Sequence, residues 1–138
     1  MSALTPEVAA FLDAQVVGVL GTTATNGRPR QSVVYFARDG DRLLVSTEAT
    51  RLKALDVERT GWASLCVQGT ERPFPSATLA GPAQVLTTDI GPPTAAIMQR
   101  LLGAEEPPEA QTDAALAAVG RVVLAIDVER VGPVSYIG

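Results

Sequence analysis

The chain has 138 residues, 46% hydrophobic, 19% charged and only 4% aromatic, which suits one domain (1–138) with an aliphatic core. A formal net charge of -4 argues against a nucleic-acid binder, which needs a basic surface, and no apolar run reaches the roughly 20 residues of a membrane span. The absence of histidine and a lone cysteine, Cys66, exclude Ser-His-Asp triads, imidazole metal sites and internal disulfides, so redox chemistry would fall to a bound cofactor.

Thr5-Pro6-Glu7 predicts a helix start, with Thr5 as N-cap, and Val8, Phe11 and Leu12 then share one face to about Gln15. Val16 to Thr23 is β-branched and too short for a buried helix, so it reads as a strand. Asn26-Gly27 closes a hairpin onto a second strand, Gln31 to Phe36, and Asp39-Gly40-Asp41 turns the chain into a third, Arg42 to Thr47. Thr50 to about Glu58 reads as a helix with Thr50 as N-cap, Leu52, Leu55 and Val57 inward, and Thr60-Gly61 as the exit.

Trp62 to Gln68 is a fourth strand, in which Trp62 is either a core anchor or a stacking surface. Cys66, in an apolar run, is expected to act as a small hydrophobe. Ala77 to Thr88 is a fifth strand with a bulge or edge at Gly81-Pro82. Pro93 to Leu102 follows as a third helix, Gly103 to Asp113 as a solvated loop, and Gln111 to Ala118 as a further helical turn or two. Arg121 to Val128 is a sixth strand, running into the alternating tail Gly132 to Tyr136. The first three strands are joined by turns too short for parallel crossovers. The predicted fold is therefore mainly β with short helices, a small antiparallel β-barrel of six strands.

The segment from Ser46 to Lys53 carries Ser46, Thr47, Thr50, a helix start, Arg51 and Lys53. Free N–H groups of a first helical turn form a ready anion site. The helix dipole disfavours Arg51 and Lys53 there by roughly 0.3–1 kcal/mol each, a penalty that a bound phosphate would reverse. The alternative is that both pair with Glu48 and Asp56 on a solvated face. Asn26 to Ser32 reads either as a hairpin tip with solvated Arg28 and Arg30 or, if Gln31 and Ser32 point inward, as part of a site. Ser64 has no neighbouring base, and no Walker-type glycine pattern is present. No catalytic side chain and no metal ligand is assigned.

The order of these features resembles the pyridoxamine 5'-phosphate oxidase-like family. The resemblance runs through Gly18-Val19-Leu20-Gly21-Thr22-Thr23, Asn26-Gly27-Arg28-Pro29, Leu43-Leu44-Val45-Ser46-Thr47 and Thr50-Arg51-Leu52-Lys53-Ala54-Leu55-Asp56. It continues through Trp62 to Val67, Ala80 to Val85 and Arg121 to Ile126, so it covers nearly the whole chain. It is strongest for the short branch that uses the deazaflavin coenzyme F420, with FMN as the alternative cofactor. The resemblance implies a six-stranded split β-barrel of FMN-binding type, forming a homodimer with cofactor between the subunits; a cytoplasmic location is expected from the lack of a signal-peptide pattern at Met1 to Glu7. It places phosphate contacts on Ser46, Thr47, Thr50, Arg51 and Lys53, and the cofactor ring against the backbone of Ser32, Val33 and Val34. Thr60-Gly61-Trp62 departs from the Asp-Pro-Arg of relatives, so no contact is assigned to a second subunit. The implied activity is hydride transfer from reduced F420 to a small organic acceptor. The alternatives are an FMN-dependent reductase or oxidase and a non-catalytic cofactor-storage protein.

Overall fold

Seven strands and four helices alternate along the computed structural model, which describes residues 3–137. Thr5 caps α1 (Pro6–Asp13) by accepting from the Val8 N–H at 3.2 Å, and Pro6 supplies a first residue that needs no partner. Next come β1 (Val17–Thr23), β2 (Pro29–Asp39), β3 (Arg42–Glu48), α2 (Leu52–Thr60), β4 (Trp62–Gln68) and β5 (Ser76–Leu86). The chain ends with α3 (Gly91–Leu102), α4 (Asp113–Ala118), β6 (Arg121–Asp127) and β7 (Arg130–Ser135).

All pairings are antiparallel, and β1-β2-β3-β6-β5-β4 closes on itself through β4 and β1. This is the expected six-stranded barrel. The tail adds one more strand, because its alternating residues pair with β5 through Ser76↔Ser135 and Ala77↔Val134. Gly81 is where β5 changes partners, from β4 (up to Pro82) to β6 (from Ala83). A Cβ built there would lie 1.8 Å from the Asp127 carbonyl oxygen, so only glycine lets the two backbones approach at this corner.

Two apolar clusters share the β3–β6 ladder. Leu43, Val45, Val122, Leu124 and Ile126 face the barrel interior with Leu20, Phe36, Leu65 and Leu79. Leu44, Val123 and Ala125 face outward beneath Ile90 and Ile97 at α3 and Leu116 of α4. Arg100 locks α3 onto the barrel. Its guanidinium donates to the carbonyls of Phe36 at 2.9 Å, Asp13 at 3.0 Å and Leu12 at 3.1 Å, which also satisfies the open end of α1.

Several local expectations are corrected. Arg51, not Thr50, occupies the N-cap of α2, and no side chain caps that helix. The chain first spends Ala49 and Thr50 on a turn closed by the Arg51 N–H to Glu48 O at 3.1 Å, so the cap falls one residue later than expected. It runs on to Thr60 because Gly61, at φ 67°, supplies the left-handed terminus. Leu52 and Leu55 are exposed rather than inward. Cys66 and Trp62 also face outward, since the alternation of β4 turns Ala63, Leu65 and Val67 into the core. α3 starts at Gly91, two residues before the expected Pro93, because Asp113 receives the N–H groups of Asp89 and Ile90 at 2.8 and 3.0 Å.

Candidate functional site

The barrel is split between β2 and β3. These strands pair only from Phe36↔Val45 to Asp39↔Arg42 and then part company. Beyond that point β2 continues along β1, with Tyr35 opposite Val17 and Val33 opposite Val19. β3 continues along β6, with Ser46 opposite Val123 and Glu48 opposite Arg121. From Val33 to Tyr35 the β2 backbone therefore has a strand on one side only, and so does β3 from Ser46 to Glu48. Unpaired main-chain donors and acceptors in such a cleft need water or a ligand.

A groove of about 240 Å³ occupies this split. Val33, Val34 and Tyr35 line one bank, Ser46, Thr47 and Glu48 the other, and Arg51, Lys53 and Arg121 bring three cations to it. Six of the eight expected contact residues thus meet at one place: Val33, Val34, Ser46, Thr47, Arg51 and Lys53. Ser32 and Thr50 lie outside the lining. Ser32 continues β2 opposite Leu20, and Thr50 is held in the turn before α2. Thr47 is buried and alternates with Ser46 and Glu48, on the barrel side of β3 with Val45.

The electrostatics of the groove favour an anion. Arg51 pairs with Glu48 at 3.4 Å, but both side chains remain open to water, so the bond is weak and exchangeable. Lys53 and Arg121 make no ion pair among the described residues. Burial, and then the neighbouring charge of Arg51, push the Lys53 ammonium below the usual lysine range. A bound anion would favour the charged ammonium and so oppose both effects.

Asp56 does not serve as a partner for these cations. It is buried one turn further along α2, where Arg30 Nε donates at 2.7 Å, Thr22 Oγ1 at 2.9 Å and Arg59 at 3.2 Å. Arg59 also donates to the Thr23 carbonyl. Arg30 is therefore half-buried and structural rather than a solvated tip residue, whereas Arg28 stays exposed. Burial alone would raise the Asp56 carboxyl, but hydrogen bonds from Arg30, Thr22 and Arg59 outweigh it and hold it below the usual carboxylate range.

Sequence reasoning missed Arg121. It stands 68 positions beyond Lys53, and only the β3–β6 register, which sets it opposite Glu48, brings it to the groove. Tyr35, which the sequence offers only as a proton donor to a product, is exposed by the split and lines the groove.

A family model described as pyridoxamine 5'-phosphate oxidase matches residues 4–135. Among curated proteins no sequence matches the chain. A conserved hypothetical protein of Mycobacterium tuberculosis superposes with a TM-score of 0.74 at 20% identity, over 93% of this chain and 82% of that one. A structure described as an F420 reductase gives 0.71 at 18% identity, over 89% and 94%. An FAD- and heme-binding protein of Mycobacterium smegmatis gives 0.72 at 20% identity, over 93% and 68%. At these identities the likeness is one of fold.

Proposed function

Because the chain belongs to the pyridoxamine 5'-phosphate oxidase family, we propose that it is an oxidoreductase that holds a phosphate-bearing cofactor in the split between β2 and β3 and passes a hydride to a small organic acceptor. The observation that carries this reading is the convergence of Arg51, Lys53 and Arg121 on a cleft whose other bank is unpaired strand backbone. Cations at one end and bare main chain at the other match a ligand with an anionic tail and a flat, polar-edged ring.

In this reading Arg51, Lys53 and Arg121 bind phosphate, and Ser46 donates its hydroxyl to the same group. The unpaired backbone of Val33 to Tyr35 orients the ring. Glu48 holds Arg51 until the anion displaces it. The cofactor, when bound, supplies the hydride chemistry, which suits a protein without histidine. Coenzyme F420 is the first choice, in keeping with the sequence resemblance and the shared fold of an F420 reductase. FMN is the second reading, favoured by the compactness of the cluster, since three cations around about 240 Å³ suit one phosphate monoester. We also propose a homodimer. Val33, Tyr35, Val17 and Cys66 form an exposed apolar row on β2, β1 and β4 that runs into the groove, as a shared cofactor site requires.

The test is a spectral titration with F420 and with FMN, followed by oxidation of the reduced cofactor in the presence of quinones and tetrapyrroles. Saturable binding with turnover of an acceptor is expected. Binding without turnover would replace the enzyme with a storage protein. Failure of both cofactors to bind would overturn the reading.

A further inference from the structure

A second cavity, of about 340 Å³, opens beside the groove and shares Tyr35, Ser46 and Arg121 with it. Its other walls are mainly apolar and come from α3 and the end of α4, where Met98, Leu101 and Val119 meet. These three are open to solvent by 38, 39 and 65%. A water-lined wall of large aliphatic side chains is costly to keep and commonly marks a binding site. The volume falls at the lower end of small-molecule sites. Arg121 stands at the junction of the two cavities and has no ion pair among the described residues.

We propose that this cavity is the acceptor site, and that it takes a flat apolar molecule carrying one anionic group. The apolar body lies against Met98, Leu101 and Val119, and the anion meets Arg121 beside the cofactor groove. The acceptor role rests on the cofactor reading above, whereas the ligand class follows from the cavity alone. Selectivity against neutral or strongly polar acceptors is the consequence. The five donors of the Arg121 guanidinium can meet the cofactor phosphate on the groove side and the acceptor's anion on the cavity side. A neutral molecule would leave the cavity-side donors unanswered, and a polar one would strand its groups against aliphatic walls.

The probe is 2-naphthoate, titrated by its own fluorescence against protein without cofactor, with 2-naphthylmethanol as the neutral match. Naphthoate is expected to bind at least tenfold more tightly than the alcohol. Arg121→Gln should weaken it about 10- to 150-fold, the range of one charge-assisted hydrogen bond. Leu101→Trp fills the cavity and Val119→Glu sets a carboxylate at its exposed rim. Both should abolish naphthoate binding, with the thermal melt of each cofactor-free variant serving as the control for folding. Equal affinity for acid and alcohol overturns the proposal. So does full naphthoate binding by Leu101→Trp and Val119→Glu. Loss of naphthoate only when FMN fills the groove in all variants would put the probe in the wrong cavity and also overturn it. If naphthoate binds as expected while neither FMN nor F420 does, the ligand class stands and the cofactor reading fails.

Discussion

Arg30 Nε lies 2.7 Å from Asp56 Oδ2, and the carboxylate it meets is only 2% exposed. This bond ties the first hairpin to the helix that carries Lys53, and Thr22 and Arg59 complete the shell around the same carboxylate. Removing one partner of a buried pair leaves the others uncompensated. Asp56→Ala should therefore lose about 3–5 kcal/mol of stability by urea denaturation. A loss within about 0.5 kcal/mol would mean that the network contributes little.

The same carboxyl sets an acid limit. Its folded ionisation lies below the usual carboxylate range, so its contribution is complete above the unfolded value, near pH 3.9. That contribution is lost as pH falls through the lower folded value. Denaturation between about pH 5 and about pH 2 should show stability falling with acid in the wild type, and a shallower fall in Asp56→Asn.

The two groove cations at the start of α2 should be separable from the fold. Lys53→Ala and Arg51→Ala should each raise the Kd for FMN or F420 about 10- to 150-fold. Melting of the cofactor-free protein should be unchanged or slightly raised, because both cations oppose the helix dipole. Glu48→Gln should move affinity the other way, since it frees Arg51 and removes the carboxylate from the groove. Equal cofactor affinity in all three variants would sink the anion site.

The apolar row at the split predicts assembly. Val33 is 74% exposed, so Val33→Glu should leave the protomer folded yet put a charge in the centre of the shared face. Sedimentation should show the wild type at about twice the 14.4 kDa protomer mass and the variant at the protomer mass, with cofactor affinity reduced. A wild type that sediments as a monomer at micromolar concentration would exclude the shared groove.

Gly81→Ala tests the barrel corner. The added methyl would collide with the Asp127 carbonyl, which lies between the buried residues 122–126 of β6 and two anchored residues, Val128 and Glu129, whose N–H groups donate to the Asp41 and Ala80 carbonyls at 2.9 Å each. Overpacking of this kind costs about 1–3 kcal/mol, and here the upper part of that range is expected in a denaturant melt.

Most strands were legible because their signals are local: Asn26-Gly27 for the hairpin, Gly61 for the end of α2, Gly81-Pro82 for the bend in β5. The barrel closure was less so, since it depends on β4 meeting β1 and on which strand β5 chooses after Pro82. The cationic bank of the cleft was legible in Arg51 and Lys53, whose position at a helix start is unfavourable without a ligand. Arg121 was not, because cross-strand register is not written in either segment alone. The cap was misplaced for a related reason. Thr50 has the right chemistry, but the backbone used it in the turn that brings Arg51 to Glu48. Arg30 and Asp56 look like ordinary surface charges in the sequence, and only the packing of α2 against β1 and β5, with Arg30 reaching over from β2, takes them out of solvent.

The β3–β6 ladder is sealed by one apolar cluster on its inner face and another on its outer face. The amides that pair β3 with β6 should exchange with solvent deuterium only when the whole protein opens, whereas those of α4 and residues 103–112, exposed along nearly their whole length, should exchange through brief local openings. The strand floor of both cavities thus belongs to the slowest part of the molecule, and the Gln111 and Val119 part of the roof over the proposed acceptor cavity to one of the fastest. Entry of a ligand would then be timed by the roof, without disturbing the arginine and serine fixed below it.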